Sequence, residues 1–188
     1  HNNDWRYIRP RSDASRYFRD LKSLISLLKR ERITSENFTN ELKLEIKNIE
    51  NDEDSISSRG ENKGELKKDI QKKIEGLNRS LEAVKFYNLY ELEKRERNLF
   101  DYDDILESLN QIVEESDEAK NYIKENFLYV LIDEHQDSSG TQNAFLEGVW
   151  RGVDRPDIFV VGDDRQLIYG FGGASLQYFE NFKNTFGK

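Results

Sequence analysis

The 188-residue chain contains no cysteine, which excludes disulfide bridges and thiolate zinc sites and fits a reducing, cytoplasmic setting. Methionine is absent as well. No apolar run approaches the ~20 residues that a membrane-spanning helix needs, and the chain opens with no signal-peptide pattern, so no membrane partner is expected. An excess of positive charge is also missing. The net charge of −8 argues against attraction of nucleic acid by the surface as a whole. A local basic groove stays open, because the basic residues cluster. What is present is a nearly even share of hydrophobic (36%) and charged (35%) residues. That balance suits helices with one wet face better than a thick buried core.

Residues 1–126 read as almost entirely helical. In "SDASRYFRDLKSLISLLKRE" the apolar positions Tyr17, Leu21, Leu24, Ile25 and Leu28 fall three and four apart, on one helical face, with Ser12 or Asp13 as the cap. Phe38, Leu42, Ile46 and Ile49 repeat the pattern behind Thr34 or Ser35. The polar stretch 51–64 reads as a loop. Leu66, Ile70, Ile74, Leu77, Leu81 and Val84 then predict a long helix towards residue 96, with an interruption near Gly76 or Asn88. The runs "LKRER", "KKDIQKK" and "EKRER" read either as solvated helix surface with charge pairs four apart, or as phosphate contacts.

After residue 126 the pattern changes. "FLYVLI" (127–132) and "DIFVVG" (157–162) are apolar, β-rich runs that predict strands buried on both faces. Between them "SSGTQNAFLEGVW" predicts a helix capped by Ser138 or Ser139, and "ASLQYFENF" predicts another after Gly173. Strand, helix, strand, helix points to a parallel sheet of the α/β class. Two strands are too few for a stable parallel sheet, so this reads as a piece of a domain. Both strands finish in acid: Asp133 and Glu134 after the first, Asp163 and Asp164 after the second. Carboxylates gathered at the carboxyl ends of neighbouring strands are tolerable where Mg²⁺ and phosphates balance them. Gln166 can both donate and accept hydrogen bonds. Tyr169 and Phe171, around Gly170, suit stacking on unpaired bases.

"LIDEHQD" followed by "VVGDDRQLIYGFGGA" resembles motifs II and III of superfamily 1 DNA helicases of the UvrD/Rep type. The upstream "RNLFDYDDIL" resembles the segment those enzymes carry before motif II, and "LLKRERITSENF" resembles their helical insertion, subdomain 1B. The resemblance implies an α/β fold: a mostly helical N-terminal bundle (1–100) followed by part of a RecA-like, P-loop NTPase parallel-sheet domain (101–188). It implies a fragment of an enzyme that couples Mg²⁺–ATP hydrolysis to 3′–5′ movement on single-stranded DNA, in company with the remaining helicase domains of the parent chain. Asp133 would take the magnesium role and Glu134 the water-activating role. Gln136 and Asp137 would complete the motif beside the nucleotide. Gln166 would sense the γ-phosphate, and Tyr169 and Phe171 would meet DNA. Asp103 and Asp104 would serve the joint between insertion and sheet, or favour a helix N-terminus.

Departures from the family pattern are several. His135 stands where an aromatic is usual and reads as a packing substitute. Gly172 replaces a common arginine, and Arg165 and Leu167 vary their positions. No GxxxxGKS/T phosphate loop occurs anywhere in the chain. The isolated chain is therefore expected to be inactive. Two other functions fit the residues less completely. One is a non-catalytic DNA-binding or partner-docking helical module. The other is a carboxylate–metal nuclease, for which His135 is the sole Lys or His near the acids.

Overall fold

Helix α1 (Ala14–Arg30) opens the described chain, which in the computed structural model comprises residues 14–57, 64–154, 156–163, 165 and 176–187. The chain divides into two units, one of residues 1–25 and 33–99, the other of 26–32 and 100–188. The second unit thus takes in residues 26–32 in addition to the 101–188 expected from the motifs.

In the first unit, α2 (Ser35–Asn51) starts where the Thr34 side chain accepts a hydrogen bond from the Asn37 N–H. Its stripe buries Leu42 and Ile49 and half-buries Phe38 and Ile46. The Asp52 side chain accepts from Asp54 N–H and starts a single 3₁₀ turn. Helix α3 (Lys68–Arg97) then runs 30 residues without the expected interruption. Gly76 is exposed with open space around it, and one such glycine costs only about 1 kcal/mol in a helix this long. Leu66, expected inside the helix, instead bridges Ile56 in antiparallel fashion. Asn98 ends α3 in the left-handed conformation (φ 51°), its N–H returning to the Lys94 and Arg95 carbonyls. Ala83 and Val84 supply the buried side of α3, which packs on α2.

In the second unit, Asp101 and Asp104 close a reciprocal cap on α4 (Tyr102–Glu115): each carboxylate accepts the other residue's backbone N–H. Ser116 caps α5 (Asp117–Asn126) in turn. Strand β1 (Val130–Ile132) pairs in parallel with β2 (Ile158–Val160), with Val130 opposite Ile158 and Ile132 opposite Val160. Helix α6 (Gly140–Trp150) connects them, capped by Ser139 with Gln142 reaching back, and α7 (Leu176–Phe186) follows. Both strands are shorter than the apolar runs that predict them. Residues before Val130 serve the exit from α5, where the Phe127 N–H caps Ile123.

The core of this unit is Val113, Leu146, Val149 and Trp150, with Ile123, Val130, Ile132, Ile158 and Phe186 packed against it. Successive strand residues point to opposite faces, so Leu131 and Phe159 point away and are 77% and 63% exposed. Burial on both faces, expected from the unbroken apolar runs, is therefore not observed among the described residues. The helices that pack on these strands lie on the side of Val130 and Ile132.

The "LKRER" run is committed to acids of its own unit. Lys29, 8% exposed at its side chain, donates to Asp101 at 2.7 Å and to Asp104 at 2.5 Å. Ser26 donates to Asp103, and Arg32 donates to Glu107 and Glu114. Asp103 and Asp104 thus act both as first-turn acids of α4 and as anchors for residues 26–32. Removing the cation leaves two part-buried carboxylates facing each other. Lys29→Met is expected to cost about 2–3 kcal/mol, below the full loss for a deeply buried pair because the acids keep some solvent. Lys73→Met, which breaks an exposed pair with Glu45, is expected to cost less than about 1 kcal/mol. Urea midpoints of the two variants test the contrast.

A second clasp involves Glu31. Tyr178 on α7 donates its hydroxyl to one Glu31 oxygen at 2.5 Å, and the Gly140 N–H at the start of α6 donates to the other at 3.3 Å. Burial and the adjacent carboxylate hold the Tyr178 hydroxyl far above its ordinary pKa. A Cβ at residue 140 would lie 2.6 Å from that hydroxyl and 3.2 Å from the Arg30 carbonyl oxygen. A side chain here would displace the Tyr178 hydroxyl from Glu31 and crowd the Arg30 carbonyl, so space favours glycine.

Candidate nucleotide site

The parallel pairing brings the two acidic strand ends to one edge. Beyond Ile132, Val161 N–H donates to the Ile132 carbonyl at 2.8 Å, and His135 N–H, one residue past the register position of Glu134, donates to the Val161 carbonyl at 3.0 Å. Glu134 then leaves strand geometry. It adopts φ 50°, ψ 43°, in the left-handed region, and starts a 3₁₀ turn over His135–Asp137. A residue with a Cβ holds that conformation at a cost of about 1–2 kcal/mol. The turn is closed by Asp137 N–H donating to the Glu134 carbonyl at 2.8 Å.

Asp133 is exposed, and its Oδ1 accepts the Glu134 N–H at 2.9 Å. Glu134 is also exposed. Gln136 is buried at 2% exposure and joins the two strand ends. Its Nε2 donates to Glu134 Oε2, and its Oε1 accepts the Asp163 N–H at 3.0 Å. Asp163 Oδ1 in turn accepts the Arg165 N–H at 3.0 Å. Asp137 is exposed. Of the residues singled out in the sequence, Asp133, Glu134, Gln136, Asp137 and Asp163 share this edge. Asp164, Gln166, Tyr169, Phe171 and Gly172 lie outside the described residues.

His135 is the largest fully buried side chain among the described residues. Its Nε2 pairs with Asn143 Oδ1 at 3.0 Å, and its ring meets Phe182 of α7 edge-on, with centroids 5.1 Å apart. Burial lowers its pKa below the ordinary histidine value. The buried ring, engaged by Asn143 and Phe182, serves packing. Asn143 is a residue that sequence reasoning missed. Its place on α6, eight positions after His135, gives no signal until the strand–turn–helix geometry is known.

An apolar groove of about 500 Å³ is lined by Leu109, Ile123, Phe127, Tyr129, Leu131 and Trp150, and none of the carboxylates borders it. The site is a strand edge bearing hard oxygen donors.

The chain matches the model of the UvrD/REP helicase N-terminal domain over residues 4–187, and it belongs to that family. Among its relatives, an ATP-dependent helicase/nuclease subunit of Lactococcus lactis subsp. cremoris is 35% identical over 121 residues, 64% of this chain and 9% of that protein. The corresponding helicase/nuclease subunit of Clostridium beijerinckii is 33% identical over 135 residues, 66% of this chain and 11% of that protein. A probable DNA helicase of Mycoplasma pneumoniae is 32% identical over 108 residues, 57% of this chain and 20% of that protein. The matched region thus spans a fifth or less of the length of these relatives. No described helix is long and apolar enough to cross a membrane.

Proposed function

We propose that this chain is the part of an ATP-dependent DNA helicase that carries the carboxylates for Mg²⁺–ATP hydrolysis and the loop that meets single-stranded DNA. The observation that supports it most is the parallel pairing of β1 and β2, which sets Asp133, Glu134 and Asp163 at one carboxyl-end edge tied by Gln136. Ligands in open α/β sheets collect at that end of the strands.

The donor set fits magnesium, which prefers oxygen ligands from one or two carboxylates and keeps the rest of its shell for water and phosphate. Asp133 is the residue to hold it, being exposed at the strand end. Bound magnesium–ATP supplies the phosphoryl group and the charge that offsets the clustered acids. Glu134 orients a water molecule and takes its proton at a carboxylate oxygen. Gln166 reports on the γ-phosphate, and Tyr169 and Phe171 stack on unpaired bases. Movement proceeds 3′ to 5′, and the remaining helicase domains complete the machine.

Hydrolysis by the chain alone and by the full-length protein tests this directly. The phosphate-gripping loop is not in these 188 residues, so the chain by itself is expected to hydrolyse Mg²⁺–ATP no faster than a buffer blank. The full-length protein is expected to hydrolyse it with stimulation by single-stranded DNA. Robust magnesium-dependent turnover by the 188-residue chain, abolished by Glu134→Gln, overturns the proposed incompleteness. Absence of DNA-stimulated turnover in the full-length protein overturns the function.

A further inference from the structure

We infer that Gln136 is a positioning residue that holds the Glu134 carboxylate and ties its placement to the backbone at Asp163; the inference rests on the reading of Glu134 given above. In a parallel pair, successive donors and acceptors alternate along the edge between the two chain segments. After Val161 N–H to Ile132 and His135 N–H to Val161, the next N–H from the second segment is that of Asp163. With the His135 N–H on Val161, the carbonyl that would continue the ladder is that of His135, and it is already occupied by the Ser138 N–H of the 3₁₀ turn. The Gln136 side-chain oxygen stands in for that missing carbonyl. It takes the Asp163 N–H at 3.0 Å.

That substitution has a chemical consequence that a backbone carbonyl would not have. A primary amide is planar and carries its acceptor and its donor on one rigid group. With Oε1 fixed by Asp163, the Nε2 hydrogens have a set direction, and in that direction lies Glu134 Oε2. The amide is buried, so water competes little for either bond. A movement of the Asp163 backbone therefore turns the amide and shifts the carboxylate. Asp163 lies three positions before Gln166, so the path from the second acidic strand end to Glu134 consists of one side chain.

Gln136→Glu is the sharpest probe. It keeps the size of the side chain and an oxygen able to accept the Asp163 N–H, and it replaces the donor to Glu134 with a second carboxylate. In the full-length protein with saturating single-stranded DNA, Gln136→Glu is expected to lower kcat for ATP hydrolysis by roughly 10²-fold, with KM for ATP within about threefold of wild type. In a Glu134→Gln background the same change is expected to lower kcat by less than about threefold, because a residue that acts through Glu134 has nothing left to act on. A loss in kcat as large in that background as in wild type overturns the inference. So does an unchanged kcat for Gln136→Glu where Glu134→Gln abolishes turnover. If Glu134→Gln itself leaves turnover intact, the assignment of Glu134 fails, and that outcome is distinct.

An exchange measurement in the full-length protein needs no variant at position 136. The Gln136 side-chain amide protons are expected to exchange slowly with solvent, and Glu134→Ala to accelerate that exchange about tenfold or more, while the Asp163 backbone amide stays protected. Exchange of the side-chain amide that is fast in the wild type, or unmoved by Glu134→Ala, overturns the bridge.

Discussion

On the proposed function, Glu134→Gln in the full-length protein is expected to reduce kcat for Mg²⁺–ATP hydrolysis by about 10²- to 10⁴-fold, the range over which a positioned general base contributes. KM for ATP is expected to change far less. Glutamine has the size and shape of glutamate, and its side-chain oxygen can still accept the hydrogen bond from Gln136 Nε2. The left-handed backbone at residue 134 is also indifferent to the exchange. What disappears is the ability to take a proton. Steady-state hydrolysis measured across ATP concentrations separates the two parameters. A kcat within threefold of wild type removes Glu134 from the role of base. A large rise in KM at unchanged kcat reassigns it to nucleotide binding.

The largest structural effect is expected at Trp150. Its side chain is buried beside Val113, Leu146 and Val149, and its ring meets Phe145 edge-on with centroids 6.2 Å apart. Trp150→Ala removes apolar contact and leaves a cavity that a packed helix cannot close, at about 3–5 kcal/mol. Domains of this size have only some 5–15 kcal/mol in hand, so the variant's second unit is expected to unfold at markedly lower urea. Leu131→Ala provides the contrast. Leu131 sits in β1, next to core residues Val130 and Ile132, yet it is 77% exposed, and its truncation is expected to stay within roughly 0.5 kcal/mol. Equal costs at the two positions would mean that the outward face of the sheet is covered in solution.

Helices were the most legible part of this sequence, for a specific reason. Stripes such as Phe38, Leu42, Ile46 and Ile49 repeat with the helical period, and caps such as Thr34 and Ser139 mark their starts. Gly76 misled because glycine lowers helix propensity locally, whereas packing along thirty residues decides the outcome. The strands were legible in type but not in extent, since an apolar run does not say which of its residues leave to link α5. Exposure of Leu131 and Phe159 was illegible from within the run, because it depends on which elements pack beside the strands. The acids after each strand were legible as an edge once the strands were taken as neighbours. Gln136 was singled out only by the motif it completes. Its bridge depends on Glu134 leaving strand geometry, and no spacing announces that turn. Lys29 read as one charge in a basic run. Its pairing with Asp101 and Asp104, more than seventy positions away, is a product of the fold alone.

The backbone at residue 134 sets heat tolerance against chemistry. Glycine, and to a lesser extent asparagine, rests in the left-handed region with less strain than glutamate. A library of variants sorted only for survival at high temperature would enrich those two residues at this position and discard the carboxylate. Wherever glutamate persists there, it has been kept against the preference of the chain that carries it.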